Sequence, residues 1–125
     1  MKSEKGQSMV ETALILPILI MLLFGIVDFG RAFHAYLTLD HAGREAARLA
    51  SLGKSDTDIR NKVDSSIAGL ESTRLRRPVE INKIKVAEGE FNVSITLIYD
   101  FDFITPIVNS WTIPIKDTTV MRIEN

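Results

Sequence analysis

The polar and apolar positions of this chain follow three successive patterns. The first is a run with no charge at all, Thr12–Val27 (TALILPILIMLLFGIV). Such a run predicts a helix that is apolar on every side. At ~1.5 Å of rise per residue it is slightly short of a ~30 Å hydrocarbon core, so Val10, Phe29 and Phe33 are recruited to complete a membrane anchor over about residues 10–33. A buried core helix would have the same composition, but the rest of so short a chain offers too little apolar cover for it. From Ala32 to Leu52 the composition stays helical and contains no proline. A helix over residues 7–52 would extend ~65–70 Å, far beyond what a small domain needs. Pro17 has no N–H and its ring opposes the Ala13 carbonyl, which predicts a bend there, with Gly25 and Gly30 as weaker points.

The second pattern has the helical period but one polar face. Leu52-Gly53-Lys54 reads as a helix stop, and Ser55 followed by Asp58 as a capping box. Ile59, Val63, Ile67 and Leu70 then share a face, predicting an amphipathic helix of about four turns. The third pattern has period two. Phe91, Val93, Ile95, Leu97, Tyr99 and Phe101 alternate with Asn92, Ser94, Thr96 and Asp100, the clearest strand in the chain. Upstream, Val79 and Ile81 share one parity and Ile84 and Val86 the other, so a bulge is expected near Asn82. Ala87–Glu90 reads as a hairpin turn. Trp111–Ile123 is a further strand in which Pro114 implies an edge position. The expected fold class is α+β: a long N-terminal helix, a second amphipathic helix, and a small antiparallel sheet of about three strands, with residues 53–125 forming the domain outside the membrane.

Composition narrows the function. The 125 residues carry a net charge of −1 and no cysteine. Disulfides, thiolate metal sites and cysteine nucleophiles are thereby excluded, and stability must come from packing or from neighbours. The signs are interspersed, without the clustered basic face that nucleic acid requires. Arg74, Arg76 and Arg77 do cluster, and read as a solvated helix end or loop. Catalysis is not expected. His34 and His41 lie ~10 Å apart along the same helix face, too far to share one metal without other ligands, and no phosphate loop or hydrolase motif is present. No cofactor is implied. A membrane-anchored binding module is the alternative function: Tyr99, Asp100 and Asp102, near Phe101 and Phe103, would supply a small polar site, although carboxylates on the wet face of a strand have the plainer explanation. Asn92-Val93-Ser94 fits a glycosylation sequon, a pattern frequent by chance.

The segments flanking the apolar run set topology. No small-residue cleavage site follows it, so the run is expected to be retained. Lys2 and Lys5 precede it, which keeps the N-terminus in the cytoplasm and exports the remainder; Arg31 opposes this bias, with Asp28 one turn earlier as its partner. Glu11 stands at the edge of the run. Either it stays hydrated, or it has a partner: cutting after Gly6 would leave an α-amine on Gln7, one helical turn from Glu11, and in a filament the glutamate would meet the amine of a neighbouring subunit. Further along, Ala42, Ala46 and Ala50 recur every four residues beside Gly43 and Ala47. This small-residue stripe serves close helix packing, either against another subunit or beneath the chain's own domain. Asp40–Arg44 and Glu45–Arg48 are placed to pair along the helix.

Lys5-Gly6-Gln7-Ser8-Met9-Val10-Glu11, followed by the apolar run, resembles the class III signal of type IV pilins, in which a membrane prepilin peptidase cuts after the glycine. Gly6 through Ser51 is similar more specifically to the TadE-like pseudopilins of tight-adherence (Tad) pili. Three features carry the likeness: Glu11 leading into Leu16-Pro17, the exit Gly25-Ile26-Val27-Asp28-Phe29-Gly30-Arg31, and Ala42-Gly43-Arg44-Glu45-Ala46-Ala47-Arg48. The Flp major pilins share the glycine-to-glutamate spacing but usually follow it with tyrosine, where this chain has Thr12, and they are much shorter. The TadG-like relatives carry an added domain. The resemblance implies a leader over residues 1–6, a pilin-like helix over 7–52, and a minor pseudopilin that acts in initiating or assembling an adhesive pilus. It also implies the partners: a prepilin peptidase, other pilins and pseudopilins of the system, and an inner-membrane assembly platform. The implied location is the cytoplasmic membrane, crossed once with the C-terminal domain outside.

Overall fold

A computed structural model describes residues 2–123. Met1, the first residue of the expected leader, and Glu124 and Asn125, the last two of the expected domain, lie outside the described residues. The first element, α1, is a single helix, Lys2–Ser51, of 50 residues. At ~1.5 Å per residue it is ~75 Å long. It passes through Pro17, Gly25 and Gly30 without a break. Its end follows from Gly53, whose φ of +80° favours glycine. With that residue turned, Lys54 N–H donates to the Leu49 carbonyl at 3.1 Å and Gly53 N–H to Ala50 at 3.1 Å, satisfying the last turn of the helix.

The second helix, α2 (Asp56–Ser66), starts where the capping pattern places it: the Ser55 hydroxyl accepts from the Asp58 N–H at 3.2 Å. At 11 residues it is shorter than the four turns expected. Ile59, Val63 and Ile67 are buried as one face, but Ile67 already caps the helix and Leu70 lies beyond it, since Gly69 weakens continuation.

Three antiparallel strands follow, β1 (Glu80–Ala87), β2 (Glu90–Asp102) and β3 (Thr112–Arg122), in the order β1-β2-β3. The alternation in β2 holds from Val93 onward, with Val93, Ile95, Leu97, Tyr99 and Phe101 all buried; Phe91, next to the hairpin, is exposed instead. Pro114 sits opposite Asp100 on β3, which is an edge strand as its proline implies. The bulge expected near Asn82 is absent. The register is continuous from Glu80↔Thr96 to Lys85↔Phe91 and shifts only between Lys85 and Ala87, beside the hairpin turn. The parity switch in the sequence is therefore not a slip of the ladder; Ile84 and Val86 simply face outward.

The C-terminal half of α1 packs against α2, β2 and β3. Leu39, Ala42, Ala46 and Ala47 are fully buried there and Ala50 nearly so, in one cluster with Ile59, Val63 and the inward residues of β2. The first half of α1 has no such cover. An 18-residue window within it reaches a mean hydropathy of 2.5 with none of it buried in the protein. The long helix is thus half core and half bare rod, the latter compatible in length and composition with a membrane anchor.

Candidate functional site

Gly6, Gln7 and Glu11 stand on the first turns of the bare rod, all exposed. A Cβ at Gly6 would meet nothing within 4 Å, so the Gly6–Gln7 bond is open on its surroundings. Gln7 and Glu11 are one turn apart on a shared face. Thr12, next to Glu11, turns its hydroxyl back onto the Ser8 carbonyl at 3.0 Å.

The small-residue stripe, by contrast, is occupied. Of its two expected partners, the chain's own domain covers Ala42, Gly43, Ala46, Ala47 and Ala50. Gly43 has a specific reason to lack a side chain, because a Cβ there would lie 2.8 Å from both Asp117 Oδ2 and Thr119 Oγ1. A bulky residue at position 46 would overpack this core before it could disturb any contact between subunits. Beside the stripe, Arg44 pairs with Asp40 at 3.0 Å as expected. Glu45 instead meets Lys62 across the groove to α2 at 3.8 Å, a partner only the tertiary fold supplies in place of Arg48.

The most organised polar site is at Asp28, which is 3% exposed. One carboxylate oxygen accepts from the Ile104 N–H at 3.0 Å and from Arg31 at 3.0 Å; the other accepts from the Thr105 N–H at 2.9 Å and from the Thr105 hydroxyl. Arg31 continues to the Asp102 carbonyl at 3.2 Å and lies 5.0 Å from the centre of the Phe101 ring. Phe103 meets that ring edge-on at 5.4 Å. Asp28 and Arg31 thus clamp the chain leaving β2 onto α1. The Asp28–Arg31 pair was legible as a charge couple one turn apart, but its backbone partners, 76 and 77 residues away, were not.

Above the clamp a cleft of about 260 Å³ is bordered by His34, Glu71, Arg74, Tyr99 and Asp102, among others. The arginines read as solvated are all paired: Arg74 with Glu71 at 2.5 Å and with Asp102, Arg76 with Asp100 at 2.9 Å, and Arg77 with Asp64 at 2.6 Å. Hydrogen bonds from Thr112 and Arg74 hold the Asp102 carboxyl below the usual range. Tyr99 belongs to the core, and Asp100 and Asp102 are engaged by arginines, so the three do not converge on a shared polar site. His34 borders the cleft and His41 is exposed on the helix. No group of three or more metal-binding side chains occurs among the described residues.

Asp117 is the carboxylate that the fold disfavours. Burial, with the charge of Asp40 nearby, pushes its pKa up, against weaker help from Thr119 and Arg44. A carboxyl whose folded pKa lies above its unfolded one binds its proton more tightly when folded, so it lowers stability once pH rises past both values and ceases to do so as pH falls below them. Asp117→Asn, which keeps an oxygen for Thr119, is therefore expected to raise Tm at neutral pH, with the gain shrinking toward acid. Melting curves of both forms across pH check this.

A protein-family model described as TadE-like protein matches residues 6–48. The match covers the bare rod with Gly6 and Glu11, the Asp28–Arg31 clamp and most of the small-residue stripe. The similarity is confined to this stretch of α1 and does not reach α2 or the sheet. No curated protein and no solved structure matches the chain.

Proposed function

We propose that the chain is a minor pseudopilin that takes part in initiating or assembling a Tad adhesive pilus. In this reading a prepilin peptidase cuts between Gly6 and Gln7, α1 holds the subunit in the cytoplasmic membrane with the α2 and β-sheet domain outside, and the subunit passes from there to an assembly platform and to other pilins. The observation that carries the reading is the TadE-like match falling on a helix whose first half is bare. A rod apolar on all sides suits both a bilayer and the packed helices of a filament interior. Gly6, Gln7 and Glu11, exposed at its start, are accessible to processing and then to a neighbour.

Processing tests this directly. Expressed in membranes together with a prepilin peptidase, the protein is expected to yield a mature chain that begins at Gln7 by intact-mass spectrometry, and Gly6→Val is expected to block the cut. An unprocessed N-terminus in a host that processes a control pilin would favour the anchored binding module instead.

A further inference from the structure

No residue from Phe103 to Ile115 is charged, and most of this stretch is the connection between β2 and β3. Asp28 fixes where along α1 it lies, through the bonds to Ile104 and Thr105. The loop reaches the end of the bare rod: a groove of about 460 Å³ is lined by Gly25, Phe29 and Ala32 of the helix together with Phe103, Val108 and Ile113. Two turns shape it, with Val108 N–H donating to Thr105 at 3.0 Å and Trp111 N–H to Val108 at 2.9 Å. They leave Ile107 75% and Trp111 62% exposed, with Ile104 also outward and Phe29 nearby on the helix. Exposed apolar residues gathered at one end of a small domain mark a contact surface.

The position of the loop identifies what it contacts. The loop meets α1 where the charge-free run ends, so its apolar tip continues the surface of the rod. Two charge pairs flank it, Asp28 with Arg31 and Asp102 with Arg74. Its composition is that of an interfacial element: a tryptophan, whose apolar ring and N–H suit the headgroup boundary, beside isoleucines and the small polar residues Asn109 and Ser110. We propose that the β2–β3 loop is a second membrane contact, with Ile104, Ile107 and Trp111 seated in the headgroup–acyl boundary of the leaflet from which α1 emerges. The proposal rests on the reading of α1 as a membrane anchor. With two contacts instead of one, the domain is held against the bilayer in one orientation, and entry into a filament requires the loop to be lifted out.

Trp111 is the only tryptophan, so its fluorescence reports the loop alone. The full chain is reconstituted into phosphatidylcholine–phosphatidylglycerol vesicles, with flotation as the measure of anchoring. Bromine on the upper acyl chains is expected to remove most of the Trp111 emission, while aqueous iodide removes little. Ile107→Asp, at an exposed position, is expected to weaken the bromine quenching several-fold and to open Trp111 to iodide, with flotation and circular dichroism unchanged. A chain that floats with Trp111 insensitive to bromine and open to iodide overturns the proposal and leaves the anchor standing. Shielding from both quenchers that fades as protein is diluted in lipid also overturns it, because a second copy then covers the loop. A chain that does not float overturns the anchor itself, and this proposal with it.

Discussion

Asp28→Ala is expected to cost about 2–6 kcal/mol of domain stability, because it strips the acceptor from the Ile104 and Thr105 N–H groups together, at about 1–3 kcal/mol for each buried donor left unsatisfied, and takes the partner from half-exposed Arg31. Alanine offers neither charge nor lone pairs, and the site is too closed for water to replace both readily. Asp28→Asn keeps an oxygen for the backbone donors while losing the attraction for Arg31, so its loss is expected to be smaller, about 1–3 kcal/mol. Urea unfolding of the detergent-solubilised full chain, followed by Trp111 fluorescence, measures both. The loop should also become a protease site in the alanine variant, since the clamp holds it to α1. Unchanged midpoints and an uncut loop would mean that Asp28 is only a passive occupant of its pocket.

The contrast between what the sequence disclosed and what it concealed follows the range of the interactions. The charge-free run, the Ser55 cap, the Gly53 stop and the alternation of β2 are local, and each was legible because the physics that sets it acts within a few residues. The end of α2 was misjudged because apolar spacing continued to Leu70 after the helix itself had stopped: a buried face does not require a helix to carry every one of its residues. The supposed bulge at Asn82 failed for a related reason. A change of parity marks a bulge only if both apolar sets must face the core, and Ile84 and Val86 face outward.

The charged residues teach a sharper lesson. Arg74, Arg76 and Arg77 look solvated in a linear reading because their carboxylates come from other elements, Asp102 and Asp100 from β2 and Asp64 from α2. Gly43 looked like one more small residue in a stripe, whereas Asp117 and Thr119 of β3 occupy the space its side chain would fill. The stripe lies beneath the chain's own domain, covered by α2 and by strands that come later in the chain.

Glu11→Ala is expected to abolish or severely reduce piliation while leaving membrane insertion and processing intact. Glu11 is exposed on the bare rod and takes part in no ion pair among the described residues, so the isolated subunit gains no visible contact from the charge. A carboxylate near hydrocarbon is unfavourable, about 2.5–3.5 kcal/mol on insertion scales at the bilayer centre and less at the edge, so its removal should if anything ease insertion. The Gly6–Gln7 bond is unaltered, and the peptidase should still cut it. Under the proposed function, what the variant loses is the counter-charge for the α-amine that cleavage would create on Gln7. In the packed interior of the proposed filament that amine would be left uncompensated, and losing one partner of a buried pair costs roughly 3–5 kcal/mol. A cost of that size at each incorporation is enough to stop assembly without touching the fold. Glu11→Gln should behave like the alanine variant, because the missing charge, and not the missing volume, is what matters. Membrane level, the mature mass and surface pili are measured in the same cells, with the variant replacing the resident copy. Normal pili from fully expressed, processed Glu11→Ala would show that Glu11 is a hydrated flank of the anchor with no part in joining subunits.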